Sequence, residues 1–195
     1  MLEELGIDYE KVHVDMGVAA HRSADYRSKV PTMRVPALGL QEGPIVGETA
    51  AIMTLLGEQH PDAGLVPREG DADRGPFMYW LMAMATGGYP TFSRACHPEQ
   101  FTTDDAANDA VQQRAEAHLN EFFDILESGI EGNPFFLKRG LTALDFYAAM
   151  LTEWVADRAS LLESRPKLAA LCEAVDGRPA YGRVKRDHCL RQETG

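Results

Sequence analysis

The sequence predicts a small mixed α/β unit followed by an all-helical one, and three observations carry that fold class. Short runs with strand and hairpin patterning are confined to residues 1–64. The tract 65–70, Leu-Val-Pro-Arg-Glu-Gly, has the turn-forming composition of a linker. From Asp71 onward apolar residues recur at steps of three and four, the period of helices packed on one core. A chain of 195 residues can bury one generous core or two small ones. The expected domains are therefore 1–64, a linker at 65–70, and a helical domain at 71–195.

Leu2 to Leu5 reads as the last turn of a helix, with Gly6 placed to end it. Tyr9, Lys11, His13 and Asp15 alternate with Val12 and Val14, which predicts a short strand over 9–15. Residues 17–29 are polar and irregular, with room for one helical turn. Two strands are expected at 36–40 and 44–46, joined by a turn at Gln41-Glu42-Gly43. Thr49 to Gln59 is helical, with Ile52, Leu55 and Leu56 as its apolar stripe and Pro61 beyond its end. In the second unit, Arg74 to Thr86 is apolar nearly all round and predicts a buried helix, broken by Gly87, Gly88 and Pro90. Ala106 to Glu127 carries Val111, Ala115, Leu119, Phe122, Phe123 and Leu126 on one face. Further helices are expected from Ala143 to about Leu162 and from Lys167 to Val175.

Composition excludes several classes of function. Hydrophobic and charged contents of 45% and 25% are those of an ordinary globular protein. The formal net charge of −11 argues against nucleic acid, whose binding rests on Lys and Arg neutralising phosphates. The apolar run from Phe77 to Ala85 is far short of the ~20 residues of a membrane helix, and the N-terminus lacks the pattern of a signal peptide. Cys96, Cys172 and Cys189 are odd in number and widely spaced, which fits a reducing compartment and makes the cytoplasm the expected location. Neither cysteines nor histidines show metal-ligand spacing, so no metal is expected. Cys96-His97 reads as a helix-end loop, since adjacent residues on a helix seldom face one another. Arg22, Arg27, Lys29 and Arg34 form a local basic run opposed only by Asp25. It is either a solvated loop or a patch for a small anion.

Three motifs decide how that run is read. Val35-Pro36-Ala37-Leu38 resembles the Val-Pro-Ala-Leu of the glutathione transferase superfamily, where the proline is cis and opens the third strand. Glu48-Thr49-Ala50-Ala51-Ile52 resembles that family's Glu-Ser-x-Ala-Ile at the start of its third helix. Gly140-Leu141-Thr142-Ala143-Leu144-Asp145 resembles the capping box of its helical domain. Arg178-Pro179-Ala180-Tyr181 is similar to its closing segment. The resemblance spans essentially the whole chain and implies an incomplete thioredoxin-like domain followed by an all-α domain.

It also implies a site for glutathione. A residue ahead of a cis-proline turns its backbone N–H and C=O outward, where an extended peptide pairs with them like an added strand. Val35 takes that role beside Pro36, toward the cysteinyl moiety. Thr49 lies at a helix start, where free N–H groups favour a carboxylate, here the γ-glutamyl one. Glu48 faces the γ-glutamyl amine, and Arg34 or Lys29 takes the glycyl carboxylate. Tyr79 and Tyr89 lie on the helix that lines the family's electrophile pocket, and each adds a polar handle. Thr142 and Asp145 are expected to be structural. The family also forms homodimers.

The family's chemistry further depends on a Ser, Tyr or Cys after the first strand, which stabilises the glutathione thiolate. Counting back from Leu2–Gly6, that strand and residue are expected to precede Met1, either in a longer product or lost from a shortened one. The catalytic residue therefore stays unknown. No cysteine precedes Cys96, which removes glutaredoxin chemistry. Two functions stay open: a transferase joining glutathione to electrophilic apolar molecules, or a non-catalytic binding or dimerisation scaffold.

Overall fold

The computed structural model describes residues 1–192, with side chains through Asp187, so Cys189 lies outside the described side chains. It divides into two compact units, Met1–Val66 and Pro67–Gly195.

The first unit opens with α1 (Leu2–Leu5), ended by Gly6 in the left-handed conformation at φ 65°. A 3₁₀ turn at Ala20–Arg22 leads into α2 (Ala24–Lys29), whose start is capped by Ser23 accepting from the Tyr26 N–H. Strands β1 (Ala37–Gly39) and β2 (Ile45–Gly47) form an antiparallel hairpin, in which Ala37 pairs with Gly47 and Gly39 with Ile45. Helix α3 (Thr49–Gln59) follows at once. Its bounds match the predicted ones, but its buried face is Ala50, Met53, Leu56 and Gly57, with Ile52 and Leu55 only half-buried.

The predicted strand at 9–15 does not form. Among the described residues the only sheet is the β1–β2 hairpin, and Val12 stands 76% exposed. Alternating residues make a strand only when a neighbour takes up the backbone N–H and C=O groups, and here none does.

Gly57 belongs to the core of this unit. A β-carbon there would run into the Cβ and Cγ2 of Val66, which is itself buried. Helix propensity favours Ala over Gly by about 1 kcal/mol. Overpacking against a short β-branched side chain costs more, about 1–3 kcal/mol, because neither atom can swing away. Gly57→Ala is therefore expected to lower the unfolding midpoint in urea, and an unchanged or raised midpoint would show that Val66 yields freely.

The second unit is helical: α4 (Arg74–Ala83), α5 (Tyr89–Cys96), α6 (Asn108–Gly129), α7 (Ala143–Thr152), α8 (Arg158–Glu163), α9 (Pro166–Asp176) and α10 (Pro179–Gln192). Its centre is α7, buried on every side except at Met150. A helix apolar all round belongs in the middle of a bundle. Around it α6 contributes Ala115, Leu119, Phe123 and Leu126, and α9 contributes Leu168, Leu171, Cys172 and Val175.

Two helix boundaries differ from expectation. Gly87, Gly88 and Pro90 do not break the chain's helical path: α4 continues through a π-helical turn, Met84–Gly88, into α5. Glycines can join a widened turn, and Pro90, which cannot donate to the turn behind it, sits just where the ladder widens. Nor is α4 buried all round, since Tyr79 and Met82 face outward while Phe77 and Leu81 carry the core. The single helix expected over 143–162 is two. Thr152 turns its hydroxyl onto the Ala149 carbonyl at 2.7 Å, and Asp157 caps α8 by accepting from the Ser160 N–H at 2.9 Å. Such side-chain bonds compete with the helical ladder and end it.

Arg158 then ties the pieces together. It donates to the Thr152 hydroxyl at 2.9 Å and to Asp176 at 2.8 Å, and lies 3.4 Å from Glu153. Lys185 of α10 joins the same two carboxylates. No described helix is long and apolar enough to cross a membrane.

Candidate functional site

The candidate site lies in the first unit, at one end of the hairpin. The Val35–Pro36 peptide bond is cis and leads directly into β1. At the far side of the hairpin β2 ends at Gly47 and α3 starts at Thr49. Val35-Pro36 immediately precede β1 and Glu48-Thr49 immediately follow β2, so the antiparallel pairing of Ala37 with Gly47 brings both segments to the same end of the hairpin.

Thr49, Ala50 and Ala51 are the first residues of α3, and their N–H groups have no acceptor within the helix. The Glu48 carbonyl already accepts the first helical bond, from Ile52 at 2.9 Å. Its side chain caps nothing and is exposed. Glu48 holds φ 67°, a conformation that favours glycine and costs a side-chain-bearing residue of order 1–3 kcal/mol. This non-glycine strain falls at the predicted ligand contact. Thr49 is half-buried, so its hydroxyl and N–H sit at the margin between core and solvent.

On the other flank Arg34 is exposed and Val35 half-buried. Lys29 is held by Asp25 at 2.7 Å, one turn back on α2. That pair is exposed and contributes little, about 0–1 kcal/mol, so it competes only weakly with an incoming carboxylate. Arg27 turns its Nε to the Met33 thioether at 3.2 Å, and Arg22 turns its Nε to His21 at 3.4 Å. The basic run is therefore partly tied down, leaving Arg34 at the hairpin end.

Sequence reasoning missed Tyr26. Its hydroxyl donates to the Arg34 carbonyl at 2.9 Å, bridging α2 to the residue just ahead of Val35. Burial pushes its phenol above the usual range, which keeps the proton in place. The available signal was a lone aromatic residue in an otherwise polar stretch.

Tyr79 and Tyr89 lie in the second unit and are not brought together by any described ring contact. Tyr79 is 65% exposed and meets Trp80 edge-on at 5.0 Å. Tyr89 is half-buried and meets Trp154 edge-on at 4.9 Å, next to Phe92. A cavity of about 430 Å³ opens elsewhere in this unit, beside Ile130, Asn133, Pro134, Lys138 and Lys167. None of the predicted site residues lines it. Cys96 ends α5 and His97 follows it, paired with Glu99 at 3.5 Å, as a helix-end loop would be. Among the described residues no group of His, Cys, Asp and Glu is gathered to hold a metal.

The capping box is present. Asp145 accepts from the Thr142 N–H at 2.7 Å and from the Thr142 hydroxyl at 3.1 Å, and its other oxygen accepts from the Phe136 N–H at 2.7 Å.

A cis-proline opening a short hairpin, a helix starting at the same end of it and a helical unit later in the chain are the features of a thioredoxin-like domain followed by an all-helical one. Residues 1–64 match the glutathione S-transferase N-terminal domain, and residues 92–181 match the glutathione S-transferase C-terminal domain. The chain belongs to the glutathione transferase superfamily. It is 28% identical over 161 residues to the uncharacterized GST-like protein YncG of Escherichia coli K12, covering 82% of this chain and 77% of that one. A sphingomonad glutathione S-transferase complexed with glutathione superposes with a TM-score of 0.82 at 26% identity, over 97% of this chain and 91% of that one. A glutathione transferase homolog from Sulfitobacter with bound glutathione gives 0.87 at 22% identity, over 96% and 89%, a likeness of fold.

Proposed function

We propose that this chain binds glutathione at the hairpin end and joins it to electrophilic, largely apolar small molecules. The observation that supports the reading is the antiparallel β1–β2 hairpin, whose paired end at Ala37 and Gly47 adjoins both the cis Val35–Pro36 bond and the start of α3 at Thr49. In this assignment Val35 pairs its backbone with the cysteinyl residue. Thr49 and the α3 N-terminus hold the γ-glutamyl carboxylate, Glu48 its amine, and Arg34 the glycyl carboxylate. The sphingomonad enzyme, complexed with glutathione, supports the same ligand here. The reaction is displacement or addition by the glutathione thiolate: a C–S bond forms and, for an aryl halide, halide leaves. Tyr79 and Tyr89 are assigned to the electrophile. No described residue is assigned to the thiolate. We place the protein in the cytoplasm as a homodimer, with residues 1–64 as the glutathione domain and 65–70 as the linker.

The test is calorimetric titration of the purified 195-residue chain with glutathione, followed by conjugation of a simple aryl halide. Binding with turnover is the expected result. Binding without turnover would leave a glutathione-binding scaffold, and no binding at millimolar glutathione would overturn the assignment.

A further inference from the structure

We propose that Tyr26 is a positioning residue for glutathione, aiming the Val35 N–H at the ligand by holding the other end of the same peptide unit. The inference rests on the glutathione reading above. It starts from the bond between the Tyr26 hydroxyl and the Arg34 carbonyl at 2.9 Å. The Arg34 carbonyl and the Val35 N–H belong to one planar peptide group. The cis bonds among the described residues are Val35–Pro36 and Asn133–Pro134, so the Arg34–Val35 bond is trans. In a trans peptide the C=O and N–H point in opposite directions. A hydroxyl that fixes the carbonyl on one side therefore fixes the N–H on the opposite side, away from α2. The same bond polarises the peptide, which makes that N–H a stronger donor.

Tyr26 is well placed to act as an anchor. Its own N–H donates to Ser23 Oγ at 3.1 Å, and its carbonyl accepts from the Val30 N–H at 2.7 Å. Val30, at the end of α2, is buried. A second tie runs from Arg27 Nε to Met33 Sδ at 3.2 Å, so α2 grips the 33–34 segment at two points. Met33 itself holds φ 52°, an unusual conformation for a side-chain-bearing residue. The approach to Val35 is thus shaped by α2 rather than by the hairpin alone.

Tyr26→Phe keeps the ring and removes only the hydroxyl. Glutathione Kd is expected to rise about 3- to 10-fold, the usual effect of one hydrogen bond. The control is Gly57→Ala, which crowds Val66 in the same unit and leaves α2 and the Tyr26 hydroxyl untouched. It is expected to lower the melting temperature while holding Kd within about twofold. Affinity that follows melting temperature across both variants would make Tyr26 merely structural and overturn the inference. So would an unchanged Kd in Tyr26→Phe when the parent chain binds glutathione. A parent chain that does not bind glutathione sinks the functional reading and this inference together.

Discussion

Replacing Asp145 by alanine is expected to cost about 3–5 kcal/mol of folding stability, a large share of the roughly 5–15 kcal/mol of an ordinary domain. Asp145 is wholly buried and accepts three hydrogen bonds, from the N–H of Phe136, the N–H of Thr142 and the Thr142 hydroxyl. Alanine leaves two backbone donors stranded in the interior at about 1–3 kcal/mol each, and removes the cap of the central helix α7 as well. Chemical denaturation of the variant checks this, and a loss under about 1 kcal/mol would mean that water reaches those donors.

The same carboxyl should make stability depend on pH. Burial pushes Asp145 up to about 6 from 3.8, against the downward pull of its three donors. A carboxyl raised in the folded state binds its proton more tightly folded than unfolded. Its contribution is fully present below about pH 4 and is lost as pH rises through about 6, a difference of about 3 kcal/mol. The stability gap between the parent chain and Asp145→Asn should therefore widen in the parent's favour between pH 7 and pH 4.5. A gap that narrows on acidification would mean that the three donors outweigh burial.

Thr49→Ala is expected to weaken glutathione binding by about 1–3 kcal/mol, roughly 5- to 150-fold in Kd. Its hydroxyl is assigned to a charged carboxylate, and bonds to charged groups are the stronger ones. The effect on folding should be small, because Thr49 makes no side-chain cap and α3 keeps its core face of Ala50, Met53 and Leu56. Isothermal titration of both proteins separates these outcomes. Unchanged affinity with reduced stability would return Thr49 to a purely helical role.

Local signals explain what could be read from the sequence. The limits of α3, the hairpin with its turn at Gln41-Glu42-Gly43 and the Thr142–Asp145 box all depend on residues close in sequence. The hairpin end was legible because its two motifs sit on either side of one turn. What was not legible depends on distant partners. Tyr9 to Asp15 alternates as a strand does, but only a neighbouring strand can make it one. The tie between Arg158 and Asp176 spans eighteen residues. Phe136 reaches Asp145 from nine residues back. The Tyr26 hydroxyl was invisible because its acceptor is a backbone carbonyl, which no side-chain pattern marks.

The widened turn at Met84–Gly88 acts as a gear between α4 and α5. Phe77, Leu81, Met84, Gly88 and Phe92 are all buried, and the first and last of them lie fifteen residues and four turns apart. That is roughly 3.75 residues per turn, above the 3.6 of a regular helix. The surplus keeps one continuous face turned inward along both helices. Removing a single residue from Met84–Gly88 would therefore act as a rotation more than a shortening, swinging Tyr89 and Phe92 by ~100° around the axis and exchanging what α5 shows to solvent for what it hides.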